Sequence, residues 1–533
     1  MTGVSTVAAD GRPILLDPLL DPGLDGAAPA TNAIVAPREL RRELLSGGRS
    51  VIETVLLSGR FPAAVVQWTA GPGEPTPLSL GFRLPGDVVV HRRRGGMLRA
   101  DGAGGPIRLI HVSPPPTEWS LGADGRVRMR VPAPPGMPVT LLAAQADDHA
   151  GAAAALAAVA RARVVERRAG AAASAPGAVA LHSGVPELDE PLRWAIARLD
   201  GGPPAPSEAL RCALLALGRA AAGLHRRARE AVEGIAPDDP WALVARAWVA
   251  GWTGWPGRWA PDEVRRRAGG LLPATRSGSV EKRVLARAAV AAAGDVLDAL
   301  GDRPGAGRLR AALPAAPVEG LAGLQHPLAT ALGVPISPTG PTHVRPGPDP
   351  AGPAVPAGLD AWALFAAGRP EEGHPRLRQY LARAFADATG CWRRAPGSTD
   401  LDDPAAAALV PVLLLHGVLG ARPDAPFGRL RLAPALPAHR TRFDVTGIRL
   451  GGSVLELSCR VREGRHTFVL RPTAGRVPTT LVFEPSVAGP VESVEVDGAT
   501  AEVAPERGGG RTRVSLQIPL DQERRVTLVG TDG

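Results

Sequence analysis

The stretch "GRLRLAPALPAH", residues 428–439, decides how this chain is read. It follows a long apolar segment, "PAAAALVPVLLLHGVLG" (404–420), and precedes a run of strand-like segments that begins after residue 440. The wider window 423–439 holds prolines at 423, 426, 434 and 437. Proline fixes φ and withholds an N–H, so such a window crosses between domains in an extended, stiff form. Its leucines are placed to anchor the crossing to the domains on either side. A connector implies a domain on each side of it.

Downstream, 423–533 is read as the connector and a C-terminal antiparallel β-sandwich. Segments such as "SVLELSCRVR" and "TTLVFEPS" have period two, and Asp497-Gly498 is a hairpin signal. Upstream, 185–422 is helical, with apolar residues three and four apart and Gly/Pro breaks between segments. The longest break is "GVPISPTGPTHVRPGPDPAGPAVPAG" (333–358). Before that, 147–184 reads as a linker helix and a flexible linker, and 31–146 as an N-terminal antiparallel β-sandwich. Residues 1–30 read as a flexible, aperiodic lead-in.

The totals agree with several domains. The chain has 533 residues, too many for one core, and an ordinary apolar share of 45%. Its net charge is +9. The basic clusters, His91-Arg92-Arg93-Arg94 and Arg265-Arg266-Arg267, are short and lack interleaved aromatics, which argues against nucleic acid as a partner. Cys212, Cys391 and Cys459 are far apart and form no CxxC, so neither a zinc site nor a disulfide framework is indicated. The N-terminus lacks a basic region followed by an apolar one, and the apolar stretch 404–420 is too short and is interrupted by Pro411 and His416. A cytoplasmic protein with no membrane partner is expected.

The connector, through Gly428, Leu430, Leu432, Pro434, Leu436 and Pro437, resembles that of the six-hairpin glycoside hydrolases, in particular the bacterial glycogen-debranching and rhamnosidase-like members. "LDAWALFAAGRPEEGHPRLRQYLARAF" (359–385) looks like their penultimate helical hairpin, and "VIETVLLSGRFPAAVVQWTA" (51–70) like the start of their N-terminal sandwich. The resemblance implies a multidomain α and β protein: β-sandwich, central (α/α) toroid, β-sandwich. The toroid reads as incomplete, because its middle hairpins are trimmed. The resemblance also implies carbohydrate metabolism, a carbohydrate partner and a bacterial source, with no cofactor.

Hydrolysis of a glycosidic bond needs two carboxylates across it. The resemblance leads one to expect a glutamate in the late loop, "ATGCWRRAPGSTDLDD" (388–403), but Trp392-Arg393-Arg394 stands there. Asp400, Asp402 and Asp403 could substitute, although Asp402 or Asp403 before Pro404 also reads as a helix N-cap. Asp238 and Asp239 precede Pro240 in the same way and are the opposing candidates. Trp241, Trp248 and Trp252 share one helical face and read as core. Trp255 and Trp259 in a Gly/Pro loop, and Trp392, are candidate substrate platforms. No G-x-S-x-G, Walker A or post-strand G-x-G-x-x-G occurs, and no metal-ligand spacing. The expectation is a divergent glycoside hydrolase-like protein in which the acid–base pair is not evident. The alternatives are an active glycosidase using acids at 238–239 and 400–403, and a non-enzymatic helical interaction scaffold.

Overall fold

The computed structural model of the protein describes residues 4–7, 13–16, 28–36, 39–46, 49–57, 63–70, 77–83, 88–92, 96–102, 107–122, 126–133, 137–161, 178–201, 208–319, 329–330, 332–335, 354–383, 403–436, 441–462, 464–475, 479–508 and 510–530. The chain divides into two compact units, Met1–Ala173 with Gly201–Pro204, and Ser174–Asp200 with Ala205–Gly533. Among the described residues no helix is long and apolar enough to cross a membrane.

In the first unit the period-two segments form two facing sheets. Eight strands stand in the order Ala28–Ala36, Glu39–Ser46, Arg49–Leu57, Ala63–Ala70, Val139–Ala146, Ile107–Ser113, Met97–Gly102 and Val88–Arg92. Glu118–Leu121, Arg126–Val131 and Leu78–Arg83 form the smaller sheet. Alternation puts one row of each strand inward. Val66, Trp68 and Leu141 of the larger sheet share a core with Leu80, Val127 and Met129 of the smaller. Within that core the buried Glu53 accepts a 3.0 Å hydrogen bond from Trp68 Nε1. Helix α1 (His149–Arg161), a linker by its sequence, packs on the sheet's other face. Its Ala152, Ala155 and Leu156 meet Val65, Leu109 and Ala144. The lead-in also departs from its aperiodic reading, for Val4–Val7 pairs with Pro13–Leu16.

The second unit joins the helices and the C-terminal strands in one continuous core. Its described helices are α2 (Pro186–Gly201), α3 (Ala209–Ala221), α4 (His225–Glu233), α5 (Pro240–Thr253), α6 (Pro261–Leu271), α7 (Val280–Ala299), α8 (Arg303–Ala312), α9 (Ala354–Ala366), α10 (Pro370–Ala382) and α11 (Pro404–Val412). Helix α11 runs on into a π-helical turn, Leu413–Val418. Helices α7, α5, α3, α11 and α9 pack side by side in that order, while α4, α6, α8 and α10 lie outside them. The inner helices have the composition of buried ones: α3 reads "ALRCALLALGRAA", and Cys212 to Ala221 are all buried. The segment between α8 and α9 is largely outside the described residues, so the described helices form an arc.

Small residues bring the first and last inner helices together. A Cβ on Gly218 of α3 would stand 2.6 Å from Ala408 Cα and Cβ of α11. Gly218→Ala should therefore destabilise by about 1–3 kcal/mol through overpacking, although the same change in an exposed helix stabilises by about 1 kcal/mol. Urea titration of the two proteins checks the sign.

The C-terminal strands make three sheets. Seven strands stand in the order Ala180–His182, Arg442–Leu450, Ser453–Arg462, Arg465–Ala474, Arg524–Gly530, Val491–Val496 and Ala499–Thr500. Facing them are Arg422–Asp424, Arg429–Leu432, Thr479–Phe483 and Leu516–Leu520. A small third sheet holds Ser486–Ala488, Arg511–Arg513 and Glu506–Gly508. At the predicted hairpin Asp497 and Gly498 have φ of 53° and 85°, the positive values a two-residue turn needs. The connector is itself a strand: Leu430 and Leu432 are buried and Arg429 and Arg431 point outward. It lies parallel to Thr479–Phe483, a departure from the all-antiparallel expectation. A chain arriving from the helices has no hairpin to reverse it, so either direction is open. Ala180–His182, expected to be linker, is also recruited to a sheet edge, so strands from both sides of the helical segment meet.

Candidate functional site

Inner helices separated by one outer helix run in the same direction, so their ends collect on two sides. The carboxyl ends rest on the C-terminal strands. Gly451 N–H donates to Trp252 O at 2.7 Å, and Ala433 N–H to Leu419 O at 2.8 Å. The amino ends lie on the opposite side and carry the acids singled out in the sequence.

Each described acid there is engaged. Asp239 caps α5, accepting from Trp241 N–H at 2.9 Å. Asp238 is exposed and pairs with Arg267 Nη1 at 2.6 Å. Asp403 caps α11, accepting from Ala405 N–H at 3.1 Å and Ala406 N–H at 3.3 Å. Its side chain is only 1% exposed, and Arg211 Nη1 holds its other oxygen at 2.5 Å. Glu208 binds the same arginine at 2.8 Å. For Asp239 and Asp403 the local cause is the same. An Asp before Pro at the first helical position is where free N–H groups await an acceptor. Asp400, Asp402 and Trp392 lie outside the described residues.

The tryptophans divide by role. Trp241 and Trp252 are buried, and Trp248 is half-buried. They continue through Trp362 into an aromatic row inside the arc: Trp248 lies 6.0 Å from Trp362, and Trp362 lies 6.0 Å from His416. His416 Nε2 accepts from Trp252 Nε1 at 3.0 Å. Burial, and less so the Arg422 cation, push His416 down to about 3, so it is neutral. Trp259 stands on the outer side of α5. The Arg246 guanidinium lies 3.9 Å from its ring centroid and that of Arg267 4.7 Å. Arg267 thereby links Trp259 to Asp238, two residues the sequence did not connect. Trp255 is half-buried with Arg229 at 5.4 Å from its ring. At Trp259 the stacked arginines cover indole area that a sugar face would use.

Two cavities flank the connector. One, of about 420 Å³, is mostly apolar, with Leu188, Leu414, Leu436 and Phe443 among its walls. The other, of about 460 Å³, opens between the carboxyl ends of α9 and α11 and the C-terminal strands, and is rich in arginine. The sequence reading missed it, because its arginines are scattered from 422 to 513.

No family model and no curated protein matches the chain. Among solved structures it is similar to a putative kojibiose phosphorylase from human microbiome, at 8% identity and a TM-score of 0.49, over 90% of this chain and 84% of that one. It is also similar to an alpha-L-rhamnosidase from Dictyoglumus thermophilum, at 9% identity and a TM-score of 0.48, over 95% and 64%. A bacterial glucoamylase complexed with acarbose is similar at 9% identity and a TM-score of 0.45, over 73% and 86%. By name these are a phosphorylase, a rhamnosidase and a glucoamylase.

Proposed function

We propose that this chain is a glycoside hydrolase-like protein of carbohydrate metabolism that has kept the frame of the six-hairpin glycosidases without their acid–base pair. On this reading the arc of inner helices belongs to an (α/α) toroid. The protein binds carbohydrate and does not cleave it.

The observation that carries the reading is the use made of Asp403. A general acid must exchange its proton with a leaving group, and a base must reach a water. Asp403 reaches neither: it is buried, spans two backbone N–H groups and an arginine, and lies on the inner helix that follows the late loop. Asp239 caps α5, accepting from Trp241 N–H. Losing one member of an acid–base pair costs on the order of 10²–10⁴ in rate. Purified protein should therefore release no reducing sugar from maltooligosaccharides or aryl glycosides above the uncatalysed background. Glycan titration should still quench tryptophan fluorescence. Turnover that Asp238→Asn or Asp402→Asn abolishes would overturn this reading. Absence of both turnover and quenching would favour the interaction-scaffold alternative.

A further inference from the structure

The arginine-rich cleft carries chemistry that the carbohydrate reading does not use. It is lined by Arg422 and Arg431 of the connector and by Arg507, Arg511 and Arg513 of the small sheet, with Glu484 and Glu506 as its acids. Two of the arginines are committed. Arg431 pairs with Glu484 at 2.6 Å. Arg511 pairs with Glu371 at 2.6 Å, and it also donates to Ser486 Oγ and to Leu436 O, each at 3.0 Å. That leaves Arg422, Arg507 and Arg513 without an ion pair among the described residues, against Glu506 alone.

The framework of the cleft is fixed. The Arg511 side chain is 9% exposed and ties the small sheet to the connector. Gly508 leaves backbone bare along the wall, with nothing within 4 Å of where a Cβ would stand. The π-helical turn ends here, and a helix end normally presents carbonyls that repel anions. Here those carbonyls are taken: Val418 O accepts from Ala435 N–H at 3.0 Å, and Leu419 O from Ala433 N–H at 2.8 Å. The connector thus covers the negative helix end beside the unpaired arginines.

Guanidinium groups around a concave site match phosphoryl oxygens, to which arginine donates two parallel hydrogen bonds. A volume of about 460 Å³ suits a small molecule rather than a polymer. We propose that this cleft binds a small phosphoryl-bearing ligand through Arg422, Arg507 and Arg513, on the side of the helical arc away from the acids at the amino ends.

The test is calorimetric titration of the full chain with pyrophosphate, inorganic phosphate and citrate. Pyrophosphate should bind with one site per chain and more tightly than inorganic phosphate. Arg507→Gln combined with Arg513→Gln should weaken it at least tenfold without lowering the melting temperature, since neither side chain has an ion pair to lose among the described residues. Arg422→Gln should weaken it comparably. The proposal fails if pyrophosphate does not bind, or if the variants bind it as wild type does. Citrate binding as tightly as pyrophosphate would overturn the phosphoryl assignment in favour of a polycarboxylate. The outcome is independent of the hydrolysis assay, because the residues tested are not those at the amino ends.

Discussion

Between pH 7 and pH 4.5 the folded protein should lose roughly 3–5 kcal/mol of stability, chiefly from the buried His416 and the half-buried His225. Burial, with the Arg449 and Arg229 cations adding to it, pushes His225 down to about 4. His416 is at about 3 for the reasons given above, with Arg422 the cation facing it. Its geometry agrees, since Nε2 receives the Trp252 indole proton and cannot hold one of its own. An unfolded histidine titrates near 6.5. Above that value both states are neutral and neither histidine contributes a pH dependence. As the pH falls through 6.5, the unfolded chain takes up two protons that the folded chain refuses, and stability declines. The decline continues until the folded values near 4 and 3. Each unit is worth about 1.4 kcal/mol per histidine. The sum approaches the whole stability of an ordinary domain, about 5–15 kcal/mol. Urea unfolding of the second unit's transition at several pH values measures the slope. His225→Phe removes one titration and a ring nitrogen with no hydrogen-bond partner among the described residues, so it should roughly halve the slope. An unfolding free energy that stays flat from pH 7 to 4.5 would refute the account.

Much of the architecture was legible because it rests on local periodicity. Strands such as "SVLELSCRVR" alternate strictly, and nearly every second residue is buried. The Asp-Gly turn and the DDP helix starts follow from backbone sterics at single positions. What the sequence hid is long-range. "RLRL" alternates over only four residues, too few to separate a strand from a stiff crossing, and a partner strand about fifty residues later makes it one. "ALH" at 180–182 has no pattern at all and becomes a strand because an edge was open. Helix α1 is so rich in alanine that its apolar face could not be told from a solvent-facing one. The same limit governs the sites. Asp403 could be read as cap or catalyst, but its arginine lies 192 residues away, and only the packing of α11 on α3 brings Arg211 to it. Trp259 looked like a free platform in a loop until Arg246 was found over its ring.

Asp403→Ala should cost about 3–5 kcal/mol, the range for stripping one partner from a buried ion pair. Two losses add. The cap of α11 disappears, worth about 0.5–2 kcal/mol. Arg211, whose side chain is 16% exposed, keeps only Glu208, itself half in water. Asp403→Asn retains an oxygen for Ala405 and Ala406 N–H while removing the charge, so it should cost less than the alanine. Arg211→Met in the Asp403→Ala background removes the stranded cation and should recover part of the loss. This series separates the two roles that one carboxylate could have. An acid kept for catalysis is held ready for substrate, often at a cost to stability, and its neutralisation lowers rate while leaving the fold intact. An acid kept for the frame shows the reverse. Denaturant midpoints that fall in the order wild type, Asn, Ala, with no rate to lose, would place Asp403 in the frame. Midpoints unchanged by Asp403→Asn, together with a measurable activity that it abolishes, would return it to the catalytic pair.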